Sequence, residues 1–344
     1  MNRIFIPFSF GLASLILSPG CSSDPLKDKV VEFDKFQTEY LVKAEPVEWL
    51  DIWKYNGLRI YDSILVAVDW GQEKLFRVYS LDSHKLIGTF GNRGKGPHEF
   101  IGAPVLTSVF FYEDQDLIIQ YYDDERRTIQ NINLNKSIDA SEVVEHSRYV
   151  LPENYMGYTP MMTEDSKLFN ADSSVLQVYD PEKMEWLRSH KPINTKQDLP
   201  QLFARIARIM YIEKAPHLDR IVGSFNVQKR LHIYNTKGEL LKVIKGKGSP
   251  VYDISGRDFY GKNKVHFSKT FLSDKFCLVL DENRFDRDTG GELLLFDYEG
   301  NALKKYKLDC YAYLGAVDWK EKRLYTCNTQ EGTLISFPLP GLDD

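Results

Sequence analysis

The stretch Gly91-Asn-Arg-Gly-Lys-Gly-Pro-His-Glu-Phe100 follows the strand-like run Leu86-Ile-Gly-Thr-Phe90 and precedes a second apolar run that begins near Val105. It is therefore a connection. Its glycines permit backbone angles closed to other residues, Pro97 fixes one angle, and Phe100 offers an apolar anchor where the chain re-enters a core. A shorter echo, Lys245-Gly-Lys-Gly-Ser-Pro250, follows the strand-like run Leu240–Ile244. Both read as segments that carry the chain from the outer edge of one sheet to the inner edge of the next.

Working outward, the chain from Val42 onward consists of short alternating runs bounded by turn residues, with Leu199–Ile212 as one candidate helical segment. Leu231-His-Ile-Tyr-Asn-Thr-Lys-Gly238-Glu-Leu-Leu-Lys242 lies over Leu293-Leu-Leu-Phe-Asp-Tyr-Glu-Gly300-Asn-Ala-Leu-Lys304, with matching apolar, Asn/Asp and Gly positions. Phe76–Phe90, Leu176–His190 and Leu334–Pro338 share the outline of a strand, a turn and a second strand. Just upstream of these hairpins, strands end at Asp69, Asp123, Asp172, Asn226, Asp281 and Asn328, at intervals of 54, 49, 54, 55 and 47 residues. That period is the length of a four-stranded propeller blade. The sequence thus predicts an all-β chain, a six-bladed β-propeller of four-stranded antiparallel blades over residues 38–340. The last repeat supplies only three strands, so Phe36–Val47 is expected to add the missing outer strand and close the ring. A competing register would align Ala67-Val-Asp-Trp70 with Ala316-Val-Asp-Trp319; it is set aside because the hairpin recurs more often.

Residues 1–20 read as a signal peptide: Arg3, the apolar stretch Ile4–Leu17, then Ser18-Pro-Gly before Cys21. The run is short for a bilayer span. This arrangement resembles a bacterial lipoprotein signal, which implies that Cys21 becomes the lipidated first residue, followed by a tether over residues 21–37. Ser18 stands where Leu is commonest in that motif. Removing Arg3 from a net charge of −5 leaves −6, with both signs interspersed and no basic stripe, so nucleic acid is not an expected partner. Cys277 and Cys327 sit in strand-like runs as small buried hydrophobes, and a Cys310–Cys327 disulfide is left open. Residues 341–344 are a tail.

The repeats and the loop Gly94-Lys-Gly-Pro-His-Glu-Phe100 make the mature chain resemble the six-bladed TolB-like or NHL-like propeller lipoproteins common in Bacteroidetes, with His98 where that loop usually carries Gly. The resemblance implies fold and a cell-envelope location, periplasmic or surface-facing and expected at the outer membrane. It implies little about chemistry.

In such a ring, the turns between second and third strands share a face with the inter-blade loops. That face is expected to carry Asp69, Trp70, Asp123, Asp124, Asn226, Asp281 and Glu282 from turns. From loops it gains Arg93, Lys95, His98, Glu99, Tyr252, Asp253, Tyr311 and Tyr313. Two readings compete: a mouth of carboxylates and amides that holds a cation or sugar, or Asp and Asn serving the turns themselves. The Gly91–Phe100 loop lacks the Gly-Lys-Ser/Thr ending of a phosphate-binding loop. Asp286-Arg-Asp-Thr-Gly-Gly291 lacks the terminal Glu of a calcium loop and reads as a solvated hairpin. The seven histidines show no metal spacing, and no Gly-x-Ser-x-Gly elbow occurs. Tyr79, Tyr179, Tyr234, Phe296 and Phe337 recur with the blades and should pack blade against blade. The expected function is an envelope binding or interaction module, its ligand a carbohydrate or a protein, with no cofactor. The alternative is a divalent-cation-dependent hydrolase or lyase of the lactonase-like kind, with calcium in the central channel and Asp69, Asn226, Asp281 and Asn328 as ligands.

Overall fold

The computed structural model describes residues 29–52, 54–153, 155, 160–172, 175–189, 209–247, 265–284, 290–328 and 333–342. Tyr252, Asp253, Asp286, Asp288 and Cys21 lie outside the described residues, as do the side chains of Asp172 and Asn328. The described residues open with a strap of three strands, β1 (Val30–Phe33), β2 (Thr38–Val42) and β3 (Glu45–Pro46). Blade 1 holds β4 (Tyr55–Tyr61), β5 (Ile64–Asp69), β6 (Lys74–Ser80) and β7 (Lys85–Asn92). Blade 2 holds β8 (Val105–Glu113), β9 (Asp116–Asp123), β10 (Thr128–Asn133), the helix α1 (Leu134–Ala140) and β11 (Glu145–Val150). Blade 3 holds β12 (Met161–Met162), β13 (Leu168–Asp172), β14 (Val175–Asp180) and β15 (Glu185–Ser189). Blade 4 holds β16 (Met210–Lys214), β17 (Ile221–Phe225), β18 (Arg230–Tyr234) and β19 (Leu240–Gly246). Blade 5 holds β20 (Val265–Leu272), β21 (Phe276–Arg284), β22 (Glu292–Asp297) and β23 (Ala302–Leu308), and blade 6 holds β24 (Tyr313–Asp318), β25 (Arg323–Asn328) and β26 (Thr333–Pro338).

These six sheets form the predicted six-bladed propeller, with the first strand of each blade innermost. The repeat is local chemistry reused. Asn235 Oδ1 accepts from the amides of Lys237 and Glu239, and Asp297 Oδ1 accepts from those of Glu299 and Asn301. Each acceptor closes a tight turn that ends in a left-handed glycine, Gly238 at φ 76° and Gly300 at φ 92°. Tyr79, Tyr179, Tyr234, Phe296 and Phe337 are all buried in clusters that join neighbouring blades. Phe100 wedges between blades 1 and 2, its ring 5.4 Å from Phe76 and 5.3 Å from Tyr121. Ala67–Trp70 ends a second strand while Ala316–Trp319 ends an inner one, so the competing register is wrong.

Three expectations change, and one open question closes. The missing outer strand of blade 6 comes from within Phe36–Val47, but only Glu45 and Pro46 supply it, pairing with Ser336 and Ile335. Blades 4 and 5 have five strands, because β1 runs parallel to β19 and β2 parallel to β23. Residues 30–33, assigned to the tether, therefore belong to the propeller. Met210 and Ile212 lie in the inner strand β16 rather than a helix. Cys327 is a buried thiol, so the Cys310–Cys327 bridge is not formed.

The strap is held by side chains as well as backbone. Tyr40 stacks on Tyr306 at 5.5 Å, Phe33 meets Phe296 at 5.0 Å, and Glu39 pairs with Lys305 and Lys307. Deleting residues 29–47 would strip these contacts and expose three sheet edges. A fall in melting temperature of more than about 5 °C is expected, with increased self-association, read by calorimetry and light scattering.

Candidate functional site

The face predicted from turns and inter-blade loops exists: the turn Gly71–Glu73 and the loop residues Asn92, Arg93 and Glu99 border one depression. Asp69 and Asp281 are fully buried and Asp123 is 3% exposed, so they do not line a mouth. Asp69 Oδ1 accepts from the amides of Lys54 and Gly71, both at 2.8 Å. Asp123 accepts from the Arg126 amide and guanidinium, and Arg126 in turn donates to the Gly96 carbonyl at 2.8 Å, tying the turn of blade 2 to the Gly91–Phe100 loop. Glu99 Oε2 accepts from the Gly96 amide, which fixes the loop from inside. Arg93 lies 4.3 Å over the Trp70 ring, a cation–π contact, while Lys95 and His98 point to solvent.

Asp281 is an inter-blade staple. It sits within β21, which runs on to Arg284, and its Oδ1 lies 3.1 Å from His266 Nδ1 while its Oδ2 lies 2.8 Å from Lys229 Nζ in the turn of blade 4. Burial pushes its carboxyl up, and the His266 hydrogen bond and Lys229 charge together hold it below the usual range. Of the four candidate cation ligands, Asn226 lines the channel cavity, Asp69 and Asp281 are spent locally, and the Asn328 side chain lies outside the described residues. Among the described residues, no three His, Cys, Asp or Glu side chains form a metal-holding group.

What converges instead is the channel. A cavity of about 300 Å³ is bordered at its mouth by Asn56, Asn226, Glu282 and Tyr313. Tyr313 is 40% exposed, whereas Tyr311 is buried and its hydroxyl donates to Glu282 Oε1 at 3.5 Å. At the floor lie three charged side chains that sequence reasoning missed: Arg59 on β4, Glu213 on β16 and Lys269 on β20. Glu213 Oε1 accepts from Arg59 Nη2 at 2.7 Å and from Lys269 Nζ at 2.9 Å. Arg59 Nε also donates to the Leu106 carbonyl at 3.2 Å, so one guanidinium ties blade 1 to blade 2 and to blade 4 across the ring. Arg59 and Glu213 border both this cavity and a smaller one beneath it, which makes their pair a partition across the channel. A signal for them was present, since each interrupts an inner-strand run: Leu58-Arg-Ile60, Ile212-Glu-Lys214 and Ser268-Lys-Thr270.

The electrostatics follow from two cations sharing one carboxylate. Burial pushes the Glu213 carboxyl up, but Arg59 and Lys269 outweigh it and hold it at about 2 rather than 4.5. Burial pushes the Lys269 ammonium down, and Arg59 adds to this against Glu213, leaving it at about 8 rather than 10.5. The stability from Glu213 is complete above pH 4.5 and is lost as pH falls toward 2. Lys269 costs stability below pH 8, a cost relieved as pH rises toward 10.5. Replacing Glu213 by Ala leaves two buried cations unopposed and should cost about 3–5 kcal/mol in urea denaturation at neutral pH. A Glu213→Gln variant should lack the wild-type loss of stability between pH 4.5 and 2.

A family model, TolB-like 6-blade propeller-like, matches residues 56–320. Among solved structures, the fold is similar to an exported protein of Bacteroides fragilis, with a TM-score of 0.51 and 11% identity over 90% of this chain and 98% of that one. A DUF4221 member from Bacteroides vulgatus gives 0.52 and 12% over 86% and 95%. The β-propeller domain of Cps50 (Swd1) from Myceliophteria thermophila gives 0.51 and 10% over 86% and 99%. No curated protein matches the sequence.

Proposed function

The chain belongs to the TolB-like six-bladed propeller family, and we propose that it is a lipid-anchored binding module of the cell envelope that takes a carbohydrate in its channel mouth. The observation that carries this reading is the channel cavity. Its mouth offers an amide from Asn226, a carboxylate from Glu282 and a half-exposed ring from Tyr313. Amides and carboxylates bond sugar hydroxyls, and an aromatic face packs against the apolar side of a sugar ring. About 300 Å³ suits a ligand of one or two rings. A stable protein interface would instead need on the order of 1,200 Å² of buried surface. The envelope location is supported by the leader that ends at Cys21 and by the exported Bacteroides neighbour.

Two measurements test this. Saturation-transfer NMR against a panel of mono- and disaccharides should give transfer with wild type, and Asn226→Ala should weaken it roughly fivefold, the worth of one hydrogen bond, without moving the melting temperature. Absence of transfer from every sugar would end the carbohydrate reading. Cys21→Ser should move the protein from the membrane to the soluble fraction on cell fractionation.

A further inference from the structure

The floor of the channel cavity has a composition that neutral sugar binding does not require. Arg59 and Lys269 share the Glu213 carboxylate, and the charges of these three side chains sum to plus one. Among the described residues the Lys269 ammonium bonds Glu213 Oε1 alone, and an ammonium has three hydrogens to donate. Thr270, 1% exposed, and its neighbour Ser268 border the same cavity, and among the described residues neither hydroxyl oxygen has a hydrogen-bond partner. A buried hydroxyl left unpaired costs stability, so its retention beside an under-neutralised cation points to a ligand. The mouth has the opposite character. Glu282 is an acceptor there. The cavity is therefore graded, cationic at depth and hydrogen-bond accepting at the rim.

Extending the binding-module reading on which it rests, we propose that the cavity takes a single-ring sugar acid, its carboxylate at Lys269, Thr270 and Ser268 and its hydroxyls at Glu282 and Asn226. A carboxylate accepts from an ammonium and from hydroxyls at once, which would satisfy the floor. Ring hydroxyls donate to Glu282, whereas a simple anion would meet only repulsion there. One carboxylate suffices, because it would balance the sum over Arg59, Glu213 and Lys269.

Calorimetric titration of the purified protein with glucuronate and glucose isolates the carboxylate, since the two differ only at that group. Glucuronate should bind at least tenfold more tightly than glucose. Lys269→Gln should abolish that advantage and leave glucose unchanged. Thr270→Val, which removes an unpaired hydroxyl at constant volume, should weaken glucuronate about threefold without lowering the melting temperature, and it keeps the test valid if Lys269→Gln fails to fold. Glu213→Gln should tighten glucuronate. Equal affinity for the two sugars, or indifference to Lys269→Gln and Thr270→Val, would overturn the sugar-acid site while leaving the carbohydrate module standing. Inorganic phosphate competing as strongly as glucuronate would also overturn it. Silence from glucuronate while another sugar of the panel gives transfer would overturn the site alone, and silence from the whole panel would remove the module reading with it.

Discussion

The pairing of Glu45 and Pro46 with Ser336 and Ile335 joins the first strands of the chain to its last blade, and the ring depends on it. The contact is small. Its two-residue ladder is extended by the Val47 amide donating to the Leu334 carbonyl and by an ion pair between Glu45 and Arg323. A blade that lacks its fourth strand exposes unpaired amides and carbonyls along the third, and it cannot bury its neighbour's aromatic layer as fully. Two parallel additions reinforce so short a closure. Running back from blade 6, the strap covers the edges of blades 5 and 4, and Tyr40 and Phe33 fasten it. A weak local ladder is thus made secure by two longer ones in series.

Closure also sets the channel. Blade 3 contributes an inner strand of only two residues, and blades 2 and 4 approach across it, with the Lys214 amide donating to Ser108 Oγ at 2.8 Å. That pinch brings β16 toward the axis, where Glu213 meets an arginine from the opposite blade. Burying three charges is costly, and their mutual bonding offsets the cost without turning it into a large gain. Such a cluster specifies one geometry of the inner strands, because every other arrangement strands a charge.

The architecture was legible because a propeller repeats its turn chemistry. Asn235 and Asp297 close identical turns, and the positions Asp69, Asp123, Asp172 and Asn226 mark the ends of the second strands of blades 1 to 4. Blade 2 hid its hairpin because α1 interrupts it. Asn133 caps that helix by accepting from the Lys136 amide, and Ser141 ends it in the left-handed region, so the insertion is locally well made. Ile138 then packs where Gly88 leaves room on β7, since a Cβ there would sit 2.4 Å from Ile138 Cγ2. Of the strap, β1 was invisible and β2 was read as part of the blade 6 closure for another reason: an edge strand that faces solvent on one side mixes charges with apolar residues as a tether does. The site residues failed differently. Asp and Asn recurred because turns need them, and the same recurrence made them look like a lined mouth. The channel charges occur once each, on separate blades, so no period announces them.

The strap also orders events in time. Lys29 bonds Leu240 and Glu45 pairs with Arg323, separations of 211 and 278 residues along the chain. Contacts of such span form late, because the entropy of closing long loops must be met before they contribute. The first strands made are therefore the last to dock, and they must wait for blades 4, 5 and 6 to exist. During that interval residues 29–47 stay undocked while the blades that will receive them are completed. Only then are they drawn in, so closure of the ring is the last step that the topology of the chain permits.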